Sequence, residues 1–312
     1  MSTRTVLHSL IAAELHRELD PRVVAFARAL AQRSPAAYAV LFYGSALRDA
    51  DFSGLLDFYV VASPLRDWHS SRTAALANEL LPVNVSYEEL TVDGQTLRAK
   101  VAVLSPAQLR AGMRPAAIDT TIWARFSQPA ACVWVRDAAA QDAIDADVMQ
   151  AVVTAARWAA LLGPESGTAA DYWQLLYQHT YAVELRVERG GARAQSLLAY
   201  GGGRYAQLLP LAWRAAGIAY REAGELLTPA LSADARRSAQ AAWSLRRLAG
   251  KPLNILRLAK AAFTFDNGAD YLAWKIERHS GFRLELSDWQ RRHPVIAAPR
   301  LLWRLWRRGV LR

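Results

Sequence analysis

The chain has 312 residues, 53% of them apolar, which is room for two compact domains with real cores and too apolar for a disordered protein. Against 28 Asp and Glu stand 38 Lys and Arg, nearly all arginine, for a formal charge of +10, so a polyanionic partner such as a phosphate, an acidic lipid or a nucleic acid is expected. Its single cysteine, Cys132, lies in the apolar run 130–135 and excludes both an internal disulfide and a cysteine-based metal site.

No run of 18 or more apolar residues is present to span a bilayer. Glu14, Glu18 and Asp20 argue against a secretory or transit peptide. The default compartment is therefore the cytosol, with room for one face on a membrane.

Apolar residues recur at helical spacing from about 5 to 33, and Asp20-Pro21 marks a helix start in the middle, so two helices are expected there. Strand-like runs follow at 38–43, 56–62, 83–88, 97–104 and 130–135. Between the third and fourth, Val92-Asp93-Gly94-Gln95 is a hairpin signal. Past residue 140 the pattern turns to alanine-rich and arginine-rich helical periodicity, with loops at Gly163-Pro164 and Gly201-Gly202-Gly203. The class expected is α+β. A mixed-sheet domain covers 1–140, a mostly helical domain 141–298 and a basic amphipathic helix 299–312. In that last segment a helical wheel groups Arg300, Arg304, Arg307 and Arg308 on one side, with Leu302, Trp303, Leu305, Trp306 and Val310 facing away. Such a helix suits an anionic membrane surface, or it packs on the body with its arginines in water. Arg283, Arg291, Arg292 and His293 upstream add to the positive face.

The chemistry is concentrated in Leu41-Phe42-Tyr43-Gly44-Ser45, followed twelve residues after the serine by Asp57 at the head of Leu56-Asp57-Phe58-Tyr59-Val60-Val61. Gly44 lets the backbone approach a triphosphate closely, and Ser45 adds a hydroxyl beside the next turn. Asp57 is placed to hold Mg²⁺, because a carboxylate at the head of an apolar strand is costly unless solvated or paired with a cation. This strand, Gly-Ser turn and carboxylate-led strand together read as a nucleotidyltransferase site. Two carboxylates one residue apart normally share two metals about 3.5 to 4 Å apart in such sites. Here the second position is Tyr59, so either the metal set is built differently or the protein is catalytically impaired. Asp49, Asp51 and Asp67 are candidate second ligands or solvated loop residues.

The run from Leu56 continues through Pro64 into Trp68-His69, and with Tyr43-Gly44-Ser45 it resembles the mitochondrial-type phosphatidate cytidylyltransferase family of the nucleotidyltransferase superfamily. The likeness resumes at Lys100-Val101-Ala102-Val103-Leu104-Ser105 and at Ile122-Trp123-Ala124-Arg125-Phe126-Ser127-Gln128-Pro129, and more loosely over 261–280. The chain departs from the family in a shortened stretch after His69 and in Gln128, where a lysine is expected. The resemblance implies a nucleotidyltransferase-fold domain, a following winged-helix-like domain, peripheral membrane attachment, and the cofactor Mg²⁺ with the partners CTP and phosphatidic acid. It implies that Gly44 and Ser45 cradle the CTP phosphates, Asp57 binds the metal, and Lys100 and Arg125 bind phosphate groups of nucleotide or lipid. That last allocation is interchangeable. His69 positions a phosphate or is hydrogen-bonded within the fold.

Two rivals stand beside this reading. One keeps the fold and changes the acceptor to RNA, a protein or a small molecule. No interleaved aromatic and basic RNA-binding motif is found, so nucleic acid is not expected. The other is a nucleotide-binding, membrane-associated protein that lacks turnover.

Overall fold

The computed structural model describes residues 2–183, 201, 203–280, 284–292 and 296–297. Two helices come first. Helix α1 (Thr3–Leu15) is capped by the Ser2 side chain, and α2 (Pro21–Gln32) by Asp20, whose carboxylate accepts from the Arg22 amide with Pro21 in the first turn. Each of the five expected strands forms: β1 (Ala37–Tyr43), β2 (Leu55–Ala62), β3 (Asn84–Val92), β4 (Gln95–Leu104) and β5 (Ala130–Val135). Short helices punctuate them: α3 (Ser45–Asp49), α4 (Leu65–Trp68), α5 (Arg72–Leu80), α6 (Pro106–Gly112) and α7 (Thr121–Phe126).

The strands form one mixed sheet in the order β3-β4-β2-β1-β5, with β2 and β4 parallel and the other neighbours antiparallel. Asp93 and Gly94 both have positive φ, +51° and +76°, the pair of values a two-residue type I′ hairpin needs to join β3 to β4. Alternation then sorts the side chains. Val40, Phe42, Phe58, Val60, Val101 and Val103 are buried on one face beneath Phe26, Leu30 and their neighbours on α2. Leu41, Tyr59, Val61, Ala102, Leu104 and Cys132 are buried on the other, in a core shared with α1 and the helical part of the chain.

That helical part begins with α8 (Ala138–Leu162), capped by Asp137 and unbroken through the stretch where the composition changes. It continues with α9 (Ala169–Val183), α10 (Gly203–Ala215), the 32-residue α11 (Ala233–Thr264), α12 (Gly268–Ser280) and α13 (Asp288–Arg292). Trp123, Trp173 and Trp213 are fully buried in the shared core. Truncating such a ring to alanine typically costs about 3–5 kcal/mol, so this face is a main source of the fold's stability. One element was not expected, a hairpin of β6 (Tyr220–Ala223) and β7 (Leu226–Pro229) turning at Gly224, φ +63°. Its four-residue strands are too short for alternation to stand out.

The basic helix expected over 299–312 lies outside the described residues, as do Arg283 and His293. Arg291 is described, and it does not simply add free positive charge, because its guanidinium pairs with Asp270 Oδ1 at 2.9 Å.

Candidate active site

The end of β1 and the start of β2 lie side by side, with Tyr43 opposite Asp57. Gly44 turns the chain there with φ +96°, and a Cβ built on it meets Asp57 Oδ2 at 2.8 Å. Both the dihedral and the contact require glycine, so the carboxylate lies directly against the turn. Across β2, Lys100 of β4 is level with Asp57. Alternation from Leu41, Tyr59 and Ala102 puts Tyr43, Asp57 and Lys100 on the face shared with α1 and the helical part of the chain.

Helix α7 brings the fourth residue. Arg125 Nη1 donates to the Tyr59 hydroxyl at 2.7 Å, and its guanidinium carbon lies 5.0 Å from the Tyr43 ring centroid and 5.6 Å from that of Tyr59. Tyr59 is buried, which pushes its phenol up against the opposing effect of Arg125, so the hydroxyl stays neutral and accepts. The position where a two-metal site would carry its second carboxylate therefore orients a guanidinium instead. Helix α7 is itself tied down at its start. Asp119 Oδ1 accepts from the Thr121 amide at 3.0 Å, while Oδ2 pairs with Arg257 of α11 at 2.6 Å. Burial raises the Asp119 carboxyl, but Arg257 and the Thr121 bonds outweigh it and hold the group below its ordinary value.

Gly44, Asp57, Lys100 and Arg125 line one cleft together with Tyr43, Arg48, Thr121, Ala124, Gln128, Thr180 and Tyr181. Its volume is about 200 Å³. Pockets that enclose a drug-sized ligand hold roughly 300–1,000 Å³, so this cleft fits the charged end of a ligand rather than the whole of one. Among the described residues three cations, Arg48, Lys100 and Arg125, line it against the one carboxylate of Asp57, a balance suited to a polyphosphate. Arg48 and the α9 residues Thr180 and Tyr181 carried no sequence signal, since only tertiary packing brings them here.

Two expected residues stand apart. Ser45 follows Gly44 on α3 but is exposed and does not line the cleft. His69 is in a separate cleft beyond the far end of β2, with Trp68, Asn84 and Asp266, and its Nε2 is 2.9 Å from Asn78 Nδ2. Burial lowers its pKa, with Lys260 and Arg33 adding to the effect, so the imidazole is a neutral hydrogen-bonded group. The sought second ligands are elsewhere too. Asp67 lines the His69 cleft, Asp51 accepts from the Ser53 amide at 2.9 Å, and Asp49 is exposed.

Among the described residues no three His, Cys, Asp or Glu side chains cluster as a metal site. The donor set of one carboxylate fits Mg²⁺ that arrives on a polyphosphate, since Mg²⁺ commonly takes one or two carboxylates and completes its shell with phosphate oxygens and water. It does not fit a resident two-metal centre.

No protein-family model matches the chain, and no curated protein is similar enough to count as a relative.

Arg125→Lys tests the cleft's character without reference to any reaction. A lysine cannot both anchor on Tyr59 and present a planar fork, so pyrophosphate affinity should fall by about tenfold in calorimetric titration. An unchanged affinity would remove Arg125 from the anion site.

Proposed function

We propose that the chain transfers the cytidylyl group of CTP to phosphatidic acid, giving CDP-diacylglycerol and pyrophosphate, with Mg²⁺, at a membrane surface. The observation that carries this is the convergence of Gly44, Asp57, Lys100 and Arg125, from the turn after β1, two strands and one helix, on a single cation-lined cleft. In this reading the five-stranded sheet is a nucleotidyltransferase fold, and the helical part with its β6–β7 hairpin is winged-helix-like.

The reaction makes modest demands on the protein. A phosphate oxygen of phosphatidate forms a bond to the α-phosphorus of CTP, and the bond from that phosphorus to the pyrophosphate oxygen breaks. The nucleophile is already an anion, so no general base is required, and the work reduces to positioning and charge neutralisation. The cleft lining matches this: among the described residues it has cations and hydroxyls, and no histidine. Gly44 admits a phosphate chain against the β1–α3 turn, and Lys100 and Arg48 offer point and fork charge beside it. Arg125, held by Tyr59, is oriented for a second phosphate. Mg²⁺, when bound, neutralises charge on the triphosphate, and Asp57 is the residue that would hold it. A hydroxyl acceptor would need a base besides the metal-holding carboxylate, and the described lining offers no second carboxylate for it.

The deciding assay incubates the protein with α-labelled CTP, Mg²⁺ and phosphatidate in mixed micelles and counts label extracted into chloroform. Phosphatidate-dependent label is the expected result. Its absence, from protein that still binds pyrophosphate, would overturn lipid transfer and leave a nucleotide-binding protein or another acceptor.

A further inference from the structure

Helix α11 is built inside out. Its inward side spends its cations on the body. Arg246 donates to the carbonyls of Pro115 and Ala117 at 2.8 and 3.0 Å, Arg257 bonds Asp119 and the Pro82 carbonyl, and Lys260 donates to the carbonyls of Leu81 and Val83. The outward side is apolar. Leu245, Leu248, Ile255, Leu256, Leu258 and Phe263 are 53 to 84% exposed. At about 100° per residue, all of these but Leu258 fall within a sector of roughly 100°, running about 27 Å along the axis. Scattered exposed leucines need no explanation, but a row of this length does.

The charge pattern selects the occupant. From Ala235 to Phe265 there is no Asp or Glu, while the exposed Arg247 and Lys251 border the apolar row on the same side as Leu258. A second copy docked on this face would bring those cations to an interface with no carboxylate on α11 to pair them. An anionic lipid surface supplies both an apolar interior for the leucines and headgroup charge for the cations. The helix does not cross, since among the described residues no helix is long and apolar enough to do so.

We propose that the outward face of α11, residues 245–263, lies on the surface of an anionic lipid bilayer. The inference extends the lipid-acceptor reading and gives that substrate a route to the protein, because the same helix holds Asp119 at the start of α7 and so joins the docked face to the element that carries Arg125.

The test uses the full chain, no CTP, and vesicles of phosphatidylcholine with or without phosphatidylglycerol, none containing phosphatidate. Ile255→Cys is labelled with an environment-sensitive fluorophore; the native Cys132 is buried, which pushes its thiol up to about 12 and keeps it from competing. A blue shift on adding anionic vesicles, absent with neutral ones, is expected. Because the label reports this face alone, attachment through residues 299–312 does not mimic it. Protein that sediments with vesicles while the label stays unshifted overturns the proposal. So does a shift that grows with protein concentration in the absence of lipid, which would mark a self-interface. The variant Leu248→Glu/Ile255→Glu/Phe263→Glu should lose roughly tenfold or more in vesicle binding, with its circular dichroism and pyrophosphate affinity unchanged. Unaltered sedimentation of that folded variant would also sink the idea. Transfer activity enters none of these readouts, so failure here and failure of the cytidylyl assay are separate results.

Discussion

Asp57→Asn is expected to lower cytidylyl transfer by on the order of a hundredfold or more, the usual scale for deleting one charge-stabilising group at a reacting phosphate or carbonyl. The substitution keeps shape and hydrogen-bonding capacity next to Gly44, where even a methyl group would meet the carboxylate, so the β1–α3 turn and the sheet should be undisturbed. What changes is charge. With Asp57 neutral, Arg48, Lys100 and Arg125 face the cleft without the acid that lines it beside them. Pyrophosphate binding without metal should then hold or strengthen, while turnover with Mg²⁺ collapses. Parallel calorimetry and the label-transfer assay check both halves. Wild-type turnover in this variant would strip Asp57 of its metal role. Equal losses of binding and turnover would mean that the carboxylate organises the cleft rather than serving the reaction.

The elements that a local rule governs were legible in the chain. Asp20-Pro21 starts α2 because an acceptor and a missing N–H suit a first turn, and Asp93-Gly94 closes β3 on β4 because both residues take positive φ. The pairing of Gly44 with Asp57 was legible too, since a strand, a tight turn and a second strand bring the two ends together across an antiparallel ladder. Lys100 and Arg125 are marked by resemblance alone, and the cleft unites them with Asp57. What no local rule governs is where a chain segment goes after leaving the sheet. His69 follows β2 closely in sequence, but the strand carries it to the end opposite Asp57. Tyr59 read as a missing carboxylate, and only the packing of α7 reveals a hydrogen-bond acceptor for Arg125. The leucines of α11 showed helical periodicity, yet periodicity gives a helix two faces without saying which one is turned out.

Arg204→Met should be costly although it lies away from the cleft, lowering stability by about 3 kcal/mol in urea or thermal unfolding. Arg204 of α10 donates through Nε to Glu14 of α1 at 2.5 Å and through Nη1 to the Ser127 carbonyl at 3.0 Å, with 14% and 19% of the two charged side chains exposed. Ser127 closes α7 and its hydroxyl lies 3.2 Å from the Tyr177 hydroxyl of α9, so the guanidinium ties α10 to α1 and α7 directly and to α9 through Ser127, two residues beyond Arg125. Removing it leaves the Glu14 charge and the Ser127 carbonyl in a largely dry site, and an uncompensated buried charge typically costs about 3–5 kcal/mol. The partial exposure places the loss at the lower end of that range. Removing both charges is a different experiment, because an apolar pair of similar volume is often as stable as a buried ion pair. Glu14→Met/Arg204→Met should accordingly be more stable than Arg204→Met alone, retaining only the smaller loss from the unpaired Ser127 carbonyl, about 1–3 kcal/mol. Simple additivity of the two single losses would mean the charges do not depend on each other. Recovery in the double variant, with pyrophosphate affinity still reduced, would locate the remaining defect at the Ser127 end of α7, where the pair's second task is to hold Arg125 in place.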